Sequence, residues 1–483
     1  MSCTEGDAAN CGDLALTHTL IAGNGSGSDL TGLSLFRADH SLIQRPGDVT
    51  VIDTIGGTNL LGVDPLLAPL ADNGGATLTH GLLPGSPAID HGDPNFSAPP
   101  EFDQRGKGFA RVSNTRIDLG AYEVQAQEVE PPTLWLRALD DMTGDGTPEL
   151  ALIGPHGSGG NLVSVRNADR GDLVSQFSFS GTDRPVAVAL APSPDATTGP
   201  SLVLLTAAGA QMRAARGGAL QAQVAFAANG QPVDLTVLPG RDGSAAPRLA
   251  LLAAGPNEVE VRAAVSGEWL NTLSFGARFE PRQVFALPER NGSAAVGVVL
   301  SEVGKTDRVV IADPDTGATL RTLWAGGDLL QAAAVADRNG NGAPEVALLW
   351  RNRTVSGTHL WVIDSASTER LAALAGFNSD FTPLKFVAVS DLSGDGVEEY
   401  AVLGRQPLTG QVTVSISNGA TGTWVNRLWY NRDCVPLDLA SLPDSNGNGA
   451  PELALLGRCG PAGSPRVFIK DARSGALLKR IDY

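Results

Sequence analysis

The sequence predicts an all-β protein whose larger part is a seven-bladed β-propeller. Three observations carry this reading. First, one segment recurs as DMTGDGTPELALIG, DRNGNGAPEVALLW, DLSGDGVEEYAVLG and DSNGNGAPELALLG, with closing acids Glu149, Glu345, Glu399 and Glu452. Second, three worn copies fit between the first two, anchored at Ser201 (SLVLLT), Arg248 (RLALLA) and Val296 (VGVVLS). Seven units of about 50 residues, rich in short strands, mark a closed ring of small sheets. Third, 58 Gly and 31 Pro among 483 residues, with only 18% charged residues, suit a turn-dense β chain.

In chain order, residues 1–123 lack the repeat. Residues 124–132, VQAQEVEPP, are polar, acidic and end in Pro-Pro, as an extended linker would. The ring is expected over 133–483. The sixth unit shows the strand logic. PLKFVAVSD reads as an innermost strand A, EYAVLG as strand B, QVTVSIS as strand C and WVNRLWY as an outer strand D. The C–D hairpin recurs with glycine at its turn (Gly171, Gly267, Gly317, Gly475), where a positive φ is needed. Closing the ring removes sheet edges that would otherwise aggregate. The first unit opens with its own strand A and the last ends with its own strand D. The ring is therefore expected to close by packing, without a shared strand.

The A–B loops carry the chemistry. Hard cations take oxygen ligands from a loop that curls around them. Positions 1, 3, 5 and 9 supply Asp141, Thr143, Asp145 and Glu149 in the first unit, and Asp337, Asn339, Asn341 and Glu345 in the fifth. They supply Asp391, Ser393, Asp395 and Glu399 in the sixth, and Asp444, Asn446, Asn448 and Glu452 in the seventh. Position 6 is glycine, and the carbonyl of position 7, Ala343 in the fifth unit, adds an oxygen. Calcium is the cofactor this set implies, with metal-free Asx turns as the alternative. The fifth and seventh loops offer two carboxylates and two amides. Units two to four (DATTGPS, RDGSAAPR, ERNGSAAV) lack the closing acid and are expected to hold no ion. A metal-bearing arc of contiguous units and a bare arc follow.

Two further sets stand out. Cys434 and Cys459 flank the seventh loop almost symmetrically, so antiparallel strands would bring them opposite each other. With Cys3 and Cys11 near the start, two pairs favour disulfides and an oxidising compartment. Two residues after the Pro that opens strand A stand Asp234, Gln283, Lys385 and Asp438. They are expected near one mouth of the central channel, either as a polar ligand site or as residues that solvate the entrance.

The repeats resemble FG-GAP/VCBS-type propeller repeats, the integrin-α-like class. That resemblance implies calcium in loops between strands A and B. The stretch NLLGVDPLLAPLADNGGATLTHGLLPGSPAIDHGD, followed by FDQRG and RIDLGAYE, resembles the closing segment of bacterial surface proteins with a right-handed parallel β-helix. LALTHTLIAGN is similar to one of their rungs. Over about residues 14–123 this implies terminal rungs and a cap, open at the N-terminal end. Asp90, His91, Asp93 and Asp103 then belong to a structural closing loop.

A net charge of −17 and a pI near 4.8 argue against nucleic acid and anionic membrane, which need clustered Lys/Arg. No apolar run is long enough to span a bilayer. The start, MSCTEGDAANCGD, does not read as a signal peptide. The six histidines are scattered, and no HExxH, GxSxG, Walker loop or CxxC occurs. The expectation is a non-enzymatic protein, extracellular or at a cell surface, for binding, adhesion or assembly. Its partners would be a surface protein or glycan, or other copies of itself. The alternatives are a carbohydrate-binding or polysaccharide-degrading protein, and a filament subunit joined through the open β-helix edge.

Overall fold

The structure is a computed structural model. It describes residues 14–125 and 134–483, apart from 26, 32–34, 72, 84–85, 114–115, 157–159, 180–184, 193–198, 226–229, 242–243, 245, 289–293, 303–304, 353–356, 378–380, 407–410, 431–433 and 460–463. Most of the expected linker, and Cys3 and Cys11, lie outside the described residues. So does the core of the loops of units two and four. The chain divides into two compact units near residue 131.

The second unit holds seven four-stranded antiparallel sheets, each built from one contiguous stretch of chain. Their first strands are Trp135–Leu139, Ala187–Ala191, Gln231–Leu238, Glu280–Pro288, Asp328–Val335, Thr382–Val389 and Cys434–Leu442. The last sheet ends with Leu477–Asp482, so no strand is shared between first and last. The ring is a seven-bladed β-propeller. Its core is distributed as a hydrophobic layer between neighbouring blades. Leu134, Leu136, Leu150 and Leu152 of blade 1 pack on Ala440, Leu442, Leu456 and Val467 of blade 7. Leu238, Leu252 and Val261 of blade 3 likewise pack on Val296, Val298 and Val310 of blade 4. Second strands face a neighbour on both sides, so they read as continuous apolar runs. All six residues of Ser201–Thr206 are buried.

Register corrects one anchor. Val335 pairs with Glu345 and Leu442 with Glu452, the last inward residue of strand A opposite the closing acid. In blade 4 the equivalent pair is Leu287 with Ala295, so the unit is anchored at Ala295 rather than Val296. With alanine and valine side by side, sequence alone had no acid by which to choose.

Every outer strand carries a register shift against strand C just after the C–D turn, in all seven blades. A bulge at this place twists the exposed edge and blunts it for pairing with another chain. The turns use glycine in the left-handed region (Gly171 φ 78°, Gly475 φ 72°), but blade 5 places Thr368 there at φ 67°.

The first unit has two small three-stranded parallel sheets. One is Ala15–Thr17, Leu35–Asp39 and Thr50–Asp53; the other is Leu20–Ile21, Leu42–Ile43 and Leu60–Leu61. Leu16, Phe36, Val51 and Ile43 form part of its core. These are short parallel ladders, not by themselves a β-helix, and the fold expectation is met only to that extent. An antiparallel pair, Leu67–Ala71 with Thr79–Leu82, follows.

The FDQRG and RIDLGAYE segments then knot together. The Arg105 guanidinium lies between the rings of Phe109 and Tyr122, 3.9 Å from each. It donates to Asp103 at 2.7 Å and to the Glu123 carbonyl at 2.6 Å. Glu123 accepts from the Asp118 amide at 2.8 Å, and Asp118 from the amides of Val124 and Asp90. Burial pushes the Asp118 carboxyl up to about 6 and Glu123 up to about 8. Asp103 is thus held by a buried ion pair, which accounts for its place in the motif.

Candidate cation loops and the belt between blades

The four motif loops share one geometry. Position 1 caps the loop with its carboxylate. Asp141 accepts from Gly144 N and Gly146 N, both at 2.7 Å, and Asp391 from Gly394 N and Gly396 N at 2.6 and 2.7 Å. Asp337 and Asp444 do the same with Gly340 and Gly342, and with Gly447 and Gly449. Both glycines of every loop sit at positive φ, which aims their amides inward. The closing acid lies fully buried at the start of strand B. Glu149 accepts from Met142 N and the Thr143 hydroxyl, and Glu399 from Leu392 N and Ser393 N.

In loops one and six, one oxygen from each acid comes together. Asp141, Asp145 and Glu149 have ligand atoms within 4.8 Å of one another, as do Asp391, Asp395 and Glu399. Each carboxylate oxygen has two lone pairs, so the amide bonds leave capacity for a cation. The Gly146 amide holds Asp141 below the usual carboxylate range, and the Gly396 amide does so for Asp391. Burial pushes the Glu149, Glu345 and Glu452 carboxyls up.

The end of strand C completes each loop, a contribution the sequence reading missed. Asn167 donates to Asp145 at 3.1 Å, and Asn418 to Asp395 at 2.7 Å. In the other two loops the partners are exchanged. Asn341 donates to Asp364 at 2.9 Å, and Asn448 to Asp471 at 2.6 Å. The strand residue always uses Oδ1 to cap its own C–D turn, as Asn418 does for Ala420 N and Asp364 for Ala366 N. Its other atom faces the loop, an amide where position 5 is Asp and a carboxylate where position 5 is Asn. Loops five and seven thus keep two carboxylates of their own and gain a neighbouring one from strand C that is held by the position 5 amide; among the described residues three acids converge within 4.8 Å only in loops one and six. The offset of 22 or 23 residues from position 5 to a matching Asn or Asp was the available signal.

This exchange is testable. Without divalent cations, Asn418→Asp should lower the melting temperature, because two carboxylates then meet where an amide met one. Adding Asp395→Asn should restore it. A double variant no better than the single would show that the pair does not couple.

The residues after the strand A proline have a different task from the one expected. Asp234 accepts from Val284 N of the next blade at 3.0 Å. Gln283 donates to Ala332 O and accepts from Ala332 N, both at 2.9 Å. Gln331 bridges Phe386 O and N in the same way. Lys385 pairs with Asp438, which accepts from Leu136 N at 2.9 Å and Arg137 at 3.0 Å. Arg137 then donates to Val188 O at 2.8 Å. These side chains form a belt from one innermost strand to the next, and are not a free polar cluster at the channel mouth. A register shift immediately before Asp234, Gln283, Gln331 and Asp438 turns them toward the neighbour. Gln331 was missed because blade 5 opens on Leu329 instead of proline. It stands at the same fourteen-residue distance before its anchor as Asp438 does before Glu452.

Cys434 and Cys459 pair directly across strands A and B of blade 7 and are bonded, and both are 1% exposed. Between blades 4, 5 and 6 a cavity of about 510 Å³ opens beside loop five, lined by Pro288, Val335, Asp337, Pro344, Ala388 and Glu398 among others.

The fold places the chain in the class of seven-bladed β-propeller proteins. Among solved structures it is similar to BBS1N, determined in complex with ARL6DN: TM-score 0.50 at 10% identity, over 73% of this chain and 95% of that one. It is also similar to an apocarotenoid oxygenase from Synechocystis (TM-score 0.44, 11% identity, 71% and 86% covered) and to the dihydro-heme d1 dehydrogenase NirN (0.44, 13%, 80% and 75%). No protein-family model matches the sequence, and no curated protein does. The expectation of a non-enzymatic protein is corrected here. Enzymes occur among the similar propellers, so the fold does not argue against catalysis, and function rests on the sites.

Proposed function

We propose that the chain is a binding or assembly protein working outside the cell or at a cell surface, with calcium in its propeller loops. The observation that carries this is the convergence of three acids in loops one and six. Asp141, Asp145 and Glu149, with the Thr143 hydroxyl, would hold one ion; Asp391, Asp395 and Glu399, with Ser393, would hold another. Bound calcium would neutralise the converging charge and tie strand B to its loop. The buried Cys434–Cys459 bond suits an oxidising compartment. The likeness of the loops to FG-GAP/VCBS repeats supports the same reading. The parallel ladders support taking 1–123 as the end of a parallel β-helix, joined by 124–132 to the propeller at 133–483. The similar BBS1N structure is of a complex with a protein, which agrees with a protein partner here.

Calcium titrated into EGTA-treated protein should release or absorb heat and raise the melting temperature. Glu149→Gln with Glu399→Gln should remove most of that rise. A flat titration with an unchanged melting temperature would sink the proposal.

Glycan binding is a second reading, favoured by the outer strand of blade 6. Trp424 and Trp429 are 63% and 51% exposed. Arg427 lies between them, 5.7 and 5.8 Å from their ring centroids. Flat aromatic faces beside a fixed cation are the surface a sugar chain packs on. A glycan array read with Trp424→Ala as the control separates this from protein binding.

A further inference from the structure

We propose, resting on the glycan reading of this edge, that the outer strand of blade 6 binds an acidic glycan, with a uronate carboxylate on Arg427 and sugar rings on Trp424 and Trp429. Register builds the site. Trp424, Arg427 and Trp429 pair with Ser417, Ser415 and Thr413 of strand C, and a register shift between Trp424 and Asn426 brings all three to one face of the sheet. Without the shift, two residues five apart would point to opposite faces. One face thus carries two exposed indoles with a guanidinium between them.

Arg427 differs from the arginines of other blades in what stands opposite it. At the same register position blade 3 has Glu260, which accepts from Arg262 at 2.7 Å, and blade 2 has Gln211, which accepts from Arg213 at 3.3 Å. Blade 6 has Ser415. No described carboxylate pairs with Arg427, and its Nε is buried without an acceptor. The Ser415 and Thr413 hydroxyls, on residues 3% and 0% exposed, also lack partners. The Lys470 ammonium donates to the Trp429 carbonyl at 2.6 Å, which sets a second cation at the same end of the strand. In a chain of net charge −17, two neighbouring cations paired with no described acid make a local site for an anion. The indole faces take the C–H face of a sugar ring, and the guanidinium fork matches a carboxylate. An apolar protein surface would cover the guanidinium and leave it unpaired. A nucleic acid would bring a phosphate with every nucleotide against the net charge of the chain.

The test is calorimetric titration of the full chain, in EGTA, with oligogalacturonate and with its methyl ester, which has the same sugar rings without the charge. Oligogalacturonate is expected to bind at least tenfold more tightly than the ester. Arg427→Gln should remove that preference and leave binding of the ester unchanged. Arg427→Lys, which keeps the charge but not the fork, should retain part of it. Trp424→Ala should weaken both sugars, and melting temperatures verify that each variant folds. Equal binding of acid and ester, or a preference that survives Arg427→Gln, overturns the inference and leaves the glycan reading standing. No binding of either sugar overturns the inference, and an empty glycan array overturns the reading beneath it as well. An oligothymidylate that binds as tightly as oligogalacturonate also overturns it, since the edge then takes any polyanion.

Discussion

Asp438→Ala is expected to destabilise the propeller by about 3–5 kcal/mol, the usual cost of removing one partner from a buried ion pair. Asp438 is 4% exposed and sits where the last blade meets the first. Its carboxylate is shared by Lys385, Arg137 and the Leu136 amide. Burial alone would push it up, but the Lys385 and Arg137 charges bring it below the ordinary carboxylate range. Alanine leaves two cations facing each other and an amide without its acceptor. It also loosens the one junction that no chain connection spans. Asp234→Ala is the internal comparison. Asp234 accepts from backbone alone across a covalently linked junction, and burial pushes its carboxyl up to about 6. Its loss should cost about 1–3 kcal/mol. Urea midpoints for both variants check this. A closure mutant no weaker than the Asp234 variant would mean that the belt does not govern ring closure.

Breaking the Cys434–Cys459 bond is expected to cost about 3 kcal/mol by the loop-closure estimate for a separation of 25 residues. Cys434→Ala with Cys459→Ala avoids burying new hydroxyls at positions that are 1% exposed. The bond fastens strand A of blade 7 to strand B, and the same strand A carries Asp438. The two changes should therefore couple. The alanine pair and Asp438→Ala together should cost less than the sum, since either one already frees the edge of blade 7. Thermal melts in oxidising and reducing buffer give the same comparison without mutation. An unchanged melt under reduction, with free thiols verified, would show that the hydrophobic layer against blade 1 suffices.

How much was legible divides by the range of the interactions. The four acid loops could be read because their repeated polar positions lie within nine residues, as from Asp141 to Glu149. The strand pattern could be read because burial between blades imposes apolar runs. The pairing of Cys434 with Cys459 could be read because a hairpin reflects its own sequence about the turn. Asp364 and Asp471 were missed because they join their loops from the end of another strand. Gln331 was missed because its strand lacks the proline used as a marker. Glu398 and Tyr400 were printed in VEEY all along. That these two departures from the repeat touch, the Tyr400 hydroxyl donating to Glu398, is seen only in the fold.

Sequence by itself determined the ring: seven units, four strands each, glycine-bent acidic loops in four of them, and a different architecture ahead of them. Periodicity does this because each blade can bury its faces only against a neighbour of the same kind. Tertiary structure alone decided what the polar residues of the innermost strands are for. Asp234, Gln283, Gln331, Lys385 and Asp438 look interchangeable along the chain. Their partners lie about one blade away or, for Asp438 and Leu136, 302 residues away across the closure. A hydrogen bond acts over about 3 Å of space, whatever the separation along the chain, so only the closed ring reveals it.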